Sequence, residues 1–229
     1  MIAGPTSKPA MPAMPTKSGG AMALVVACLA SAAVAFTGGC MQKRLPVDFT
    51  ETPRGYVSKD YERVYDRWTR HEVAYIDEDV ALEIWATYKS WDFREAYIER
   101  YAAVYSLSDA DEKALTEAQH GLVRAAYEFH FTAQATQYKW NDLEKANSPW
   151  RATLMDALGH ELTPEYIKVV KLPDAYEESF FPSRTPFTKT YAIRFAVPAD
   201  GSFAGTKSGS ITLRFSSPIG RVELAWQGK

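Results

Sequence analysis

The ten residues "EFHFTAQATQ", 128–137, are where the chain changes its period. Before them, apolar residues recur every three or four positions, the spacing of a helix face. Within them, Phe129, Phe131, Ala133 and Ala135 alternate with His130, Thr132, Gln134 and Thr136, the spacing of a strand with two unlike faces. The switch predicts helices upstream, about 58–127, and β-strands downstream, about 128–229.

Working outward, "TKTYAIRFAVP" (188–198) alternates in the same way through Tyr191, Ile193, Phe195 and Val197. "GSITLRFSSPIGRVELAW" (209–226) sets Ile211, Leu213 and Phe215 against Val222, Leu224 and Trp226, with a turn at Ser217–Gly220, and predicts a hairpin. Trp150, Ala152 and Leu154 alternate before a turn at Gly159, and "YIKVVKL" (166–172) is a short β-branched strand. Upstream, Tyr61, Val64, Tyr65 and Trp68 mark one face of a helix over "SKDYERVYDRWTRHEV" (58–73), with Ser58 as its N-cap. "DFREAYIERYAAVY" (92–105) starts with the Asp92/Glu95 spacing of a capping box and carries Phe93, Ala96, Tyr97 and Tyr101 on a stripe. Acids follow Ser108 at the head of another helix, favourable to its dipole. One upstream segment breaks the pattern: "DVALEIWATY" (79–88) alternates and predicts a strand. If it joins the downstream sheet, the helices of 92–127 are an insertion between two strands.

The fold class expected is therefore α+β: an antiparallel β-sandwich with a helical N-terminal half or a helical insertion, forming one domain over 58–229. Its β-rich part resembles an immunoglobulin-like or fibronectin-like sandwich in architecture alone, since no Cys–Trp–Cys signature is present.

Ahead of this domain the composition changes. Residues 1–20 are rich in Pro, Gly and Ser, and "AMALVVACLASAAVAF" (21–36) is uncharged and largely apolar. That run is shorter than the ~20 apolar residues a membrane-spanning helix needs. Residues 1–39 hold Lys8 and Lys17 and no acid, leaving 24 basic and 28 acidic residues beyond them. A basic stretch, an apolar run and small residues read as a signal peptide over 1–39, with initiation at Met1, Met11 or Met14. Two cleavage patterns compete: "AVA" ending at Ala35, and "TGGC" (37–40). The second resembles the lipobox of bacterial lipoproteins, with Thr37 in place of the usual Leu-like residue. That resemblance implies lipid (palmitate among its chains) on Cys40, a membrane anchor in the cell envelope, and, with Met41 following, the outer membrane facing the periplasm. Residues 40–57 then read as a tether. Cys28 leaves with the signal peptide, so no disulfide or thiol chemistry is expected in the mature chain.

Candidate chemistry is sparse. With net charge −2, nothing points to nucleic acid. His71, His120, His130 and His160 have no metal-ligand spacing, and "GHELTP" lacks the second histidine of a zinc helix. His130 reads as a solvated residue on a polar strand face. Asp77, Glu78 and Asp79 lack the pattern of a calcium loop. "ADGSFAGTKSGS" (199–210) is not a phosphate loop and reads as a mobile connection. No catalytic residue, cofactor or metal is expected. The distinctive feature is aromatic density: eight of the thirteen tyrosines fall between Tyr56 and Tyr105, with Trp68, Trp85 and Trp91. Tyr and Trp join large contact area to a polar handle. Trp91, Tyr97 and Tyr101 are the candidate binding residues, with Arg70, Arg94 and Arg100 placed to stack on such rings. The expectation is a non-enzymatic binding or assembly module with an envelope protein as partner; the alternative is a peptidoglycan- or glycan-binding module using exposed Tyr and Trp.

Overall fold

The structure, a computed structural model, describes residues 45–183 and 185–229. A 3-10 turn (Ser58–Asp60) leads into α1 (Tyr61–Trp68), whose Tyr61, Val64, Tyr65 and Trp68 are all buried. The cap differs from expectation. Asp60 accepts the Val57 N–H at 3.1 Å, so Ser58 lies inside the first turn. The helix also stops at Trp68 rather than continuing to Val73. β1 (Thr69–Ile76) replaces its last turn because non-local partners outweigh helix propensity there. Thr69 Oγ1 meets Thr87 Oγ1 at 2.8 Å, and the strand pairs with β2 (Asp79–Tyr88) from Thr69↔Thr87 to Ile76↔Asp79.

Two helices follow, α2 (Trp91–Tyr105) and α3 (Asp109–Ala125), before β3 (Ala126–Gln134). Ser90, not Asp92, caps α2: its Oγ accepts the Phe93 N–H at 3.1 Å. Ser108 caps α3 as expected, accepting from Asp111 N–H. β2 and β3 are antiparallel neighbours, in register Tyr88↔Phe129 to Glu83↔Gln134. The helices are thus an insertion between adjacent strands, and the division into a helical half and a β half is corrected by β1 and β2. The remaining elements are β4 (Arg151–Asp156), β5 (Glu161–Leu162), β6 (Tyr166–Val169), α4 (Asp174–Phe180), β7 (Lys189–Ala196), β8 (Ser210–Ser217) and β9 (Gly220–Gln227).

The strands form two antiparallel sheets, ordered β1-β2-β3-β7-β6 and β5-β4-β8-β9. Their inner faces share one core. Ile84, Tyr88, Phe129, Phe131, Tyr191 and Phe195 come from the first sheet, and Leu154, Leu213, Phe215, Leu224 and Trp226 from the second. Rings interlock across the gap, Phe131 with Phe215 at 5.5 Å and Phe129 with Trp226 at 5.2 Å. Each such side chain contributes about 1.5–3 kcal/mol on burial. The architecture is α+β, two antiparallel sheets in a sandwich-like arrangement with four α-helices among the described residues.

The other face of the five-stranded sheet is covered too. Phe181, just after α4, stacks on His130 at 3.6 Å, and Tyr61 donates to the Phe180 carbonyl at 2.6 Å. His130 is therefore 4% exposed, not solvated, and Thr132 beside it is fully buried. The connection 199–209 is likewise packed down: Phe203 is buried edge-on against Tyr127, and Asp156 accepts the Ala204 N–H at 2.9 Å.

Candidate binding surfaces

The three aromatic candidates do not form one site. Trp91 and Tyr97 are six residues apart on α2, which turns them about 120° away from each other around the helix axis. Trp91, 7% exposed, lies under His120 (3.7 Å, stacked) and Arg124 (5.3 Å to the ring centroid). At that exposure it offers no open platform for stacking a sugar. Tyr97 and Tyr101 are half-buried and do come together, at 5.6 Å. They belong to a ridge that sequence reasoning saw only in part. Tyr101 packs on Tyr105 at 4.4 Å, Tyr97 shares a 2.8 Å hydroxyl hydrogen bond with Tyr176 of α4, and Phe180 supports the row from below. Burial pushes the Tyr97 phenol well up, with Tyr176 adding to it. Its outer end is open: Tyr105 is 49% exposed, with Val104 exposed beside it. Tyr176 and Phe180, four residues apart just after Pro173–Asp174, carry the sequence signal for α4.

The arginines have other work. Arg94 is buried, bonded to Glu128 at 2.6 Å and to Gln119. Arg70 is buried over Trp226 and donates to the carbonyls of Ala225, Arg67, Thr69 and Leu45. Arg100 reaches Ser58 Oγ at 3.4 Å. Of the histidines, His71, His120 and His160 each meet one carboxylate, those of Glu83, Glu95 and Asp156. Among the described residues no three potential ligands converge on a metal position.

The second surface lies where the chain enters the domain. Of the expected tether 40–57, residues 40–44 lie outside the described residues, and 45–57 hold to the sandwich at particular points. Val47 is fully buried and forms a parallel bridge to Gly228, donating to Gln227 O (2.8 Å) and accepting from Lys229 N–H (3.1 Å). Phe49 packs on Trp68 at 5.7 Å. Further on, Asp92 gathers the segment: it accepts from Tyr56 Oη (2.6 Å) and Trp68 Nε1 (2.7 Å) and pairs with Arg54 and Arg67. A cleft of ≈ 190 Å³ beside Phe49, Trp91, Arg124 and Lys207 adjoins a groove of ≈ 390 Å³ along Val47, Lys207 and Lys229. Cys40 lies outside the described residues.

His130 carries a pH dependence. Burial, and then the neighbouring Lys89 charge, hold its pKa well below the usual 6.5, and its Nε2 has no hydrogen-bond partner among the described residues. The unfolded chain then binds a proton below about pH 6.5 that the folded chain refuses, so stability falls as pH falls, by about 1.4 kcal/mol per unit. Urea unfolding at pH 7 and pH 5 should show this loss, and His130→Gln should flatten it. An unchanged slope in the variant would assign the acid sensitivity elsewhere.

No protein-family model matches the chain, and no curated protein does. Among solved structures it is similar to a novel protein of unknown function from Burkholderia pseudomallei K96243, 13% identical, covering 73% of this chain and 88% of that one, with a TM-score of 0.36.

Proposed function

We propose that the protein is a bacterial envelope lipoprotein: residues 1–39 are the signal peptide, Cys40 carries the lipid, and the domain from Leu45 is a non-enzymatic binding or assembly module at the outer membrane, facing the periplasm. The observation that carries this reading is the bridge at Val47. It fits a cysteine anchor because only residues 41–46 separate Cys40 from Val47, a firmly held point on the domain. The ridge of Tyr97, Tyr101, Tyr105 and Tyr176 is the surface offered to an envelope protein partner, since half-exposed aromatics favour protein contacts. The burial of Trp91 weighs against the glycan alternative. An immunoglobulin-like relationship is proposed for architecture only, supported by two sheets around one core.

Metabolic labelling with a fatty acid tests the anchor. The parent should take up label and Cys40→Ala none; equal uptake would refute the anchor. Photo-crosslinking from position 105 in the native host tests the surface. One stoichiometric envelope protein is the expected product, and recovery of peptidoglycan instead would favour the glycan module.

A further inference from the structure

We propose that Lys89 is a covalent capture site, a side-chain amine set to condense with small aldehydes as an imine. The site does not depend on the Cys40 anchor. Lys89 directly follows β2, and its N–H still bonds the Glu128 carbonyl at 2.9 Å, so it continues the alternation of the strand. Tyr88 faces the core, and Lys89 the other face of the sheet, which it shares with His130. There its Nζ lies 5.8 Å from the ring centroid of Phe181, the ring that also stacks on His130. Phe181 is 2% exposed and Lys89 is half-buried, so the amine sits beside an apolar cover without being sealed from solvent.

The arrangement denies this amine a counter-ion. Glu128, across the strand pair, is bonded to Arg94 at 2.6 Å and faces Arg194 at 3.6 Å. Arg94 is itself fixed beside Lys89, donating from Nε to the Lys89 carbonyl at 3.0 Å. Among the described residues the Lys89 ammonium has neither a hydrogen-bond acceptor nor an ion-pair partner. Burial, and then the Arg94 charge, draw its pKa down from 10.5 to about 8, with Glu128 opposing the fall and Lys168 of β6 adding to it. His130 beside it is held neutral by its own burial. At pH 8 about half of Lys89 is then free amine, against about 0.4% for an ordinary lysine. A desolvated lysine next to another cation is the form in which this side chain attacks a carbonyl carbon. The nitrogen lone pair forms the C–N bond, the carbonyl π pair moves to oxygen, and one N–H proton passes to that oxygen. The hydroxyl of the resulting carbinolamine leaves with the second N–H proton as water, giving the imine. No oxidant or reductant is consumed.

Reductive trapping on the purified full-length protein tests the site. Acetaldehyde is the probe, sodium cyanoborohydride fixes the imine, and peptide mapping by mass spectrometry reads each lysine. At pH 8, Lys89 should be ethylated at least about ten-fold faster than the exposed Lys113 and Lys171. The advantage should shrink as pH rises above 8, where Lys89 has already lost its proton and exposed lysines are still gaining free amine. In concentrated urea it should disappear. Ethylation of Lys89 no faster than that of Lys113 in the folded protein would overturn the capture site. An advantage that survives urea would overturn it too, because the reactivity would then belong to the local sequence and not to the fold.

Discussion

Replacing Asp92 by alanine is expected to lower the unfolding free energy by about 3–5 kcal/mol, the cost of removing one partner from a buried charged cluster. The carboxylate is 1% exposed. It accepts the Tyr56 hydroxyl and the Trp68 indole N–H, and faces Arg54 and Arg67 at 3.3 Å each. Without it, the indole N–H and two guanidinium groups lose their acceptor where water does not replace it freely. The lead-in should loosen as well, because Arg54 and Tyr56 belong to it. Urea denaturation gives the magnitude, and limited proteolysis should show faster cleavage within 45–57. A loss under about 1 kcal/mol would mean that the cluster is far wetter than its burial implies.

Gly205→Ala should cost at least about 2 kcal/mol, combining left-handed backbone strain with overpacking. Gly205 has φ +53°, and a Cβ there would lie 1.9 Å from Tyr127 Oη and 2.6 Å from its Cζ. The ring is held by Phe203 on one side and Tyr88 on the other, so it cannot simply swing away. A double-mutant cycle separates the two costs. In a Tyr127→Ala background the overpacking part should vanish and the backbone part remain. Full additivity of the two substitutions would show that the contact with Tyr127 is not what excludes a side chain.

Much of the sheet was legible because alternation survives in the sequence wherever a strand has one face on the core. The hairpin of β8 and β9, the strands β3 and β7, and β2 upstream of the helices all carry it. Thr69–Ile76 was not legible as a strand. Its buried positions include Arg70, whose acceptors are carbonyls of residues as distant as 225 and 45, and no local pattern records such partners. His130 was placed on the correct face of β3, opposite Phe129 and Phe131. What alternation could not tell is that Phe181 returns from a distant segment to cover that face. Asp92 shows the same limit: three residues before Glu95 it satisfied a capping pattern, while its real partners lie 24 to 38 positions away in Trp68, Arg67, Tyr56 and Arg54. For the binding surface, the tyrosine spacing identified part of the ridge, but Tyr176 comes from α4, which the sequence reading left unassigned.

The bridge at Val47 also decides how the domain bears force. A pull applied ahead of Leu45 falls first on three hydrogen bonds, those of Val47 with Gln227 and Lys229 and of Arg70 with the Leu45 carbonyl. They fail before the strand ladders of the two sheets are loaded. Residues 45–57 then peel away in turn, with the Asp92 cluster as the last hold, and release roughly 45 Å of slack at full extension. Tension applied ahead of Leu45 is thus absorbed by a detachable leader while β1 and the core behind it stay folded.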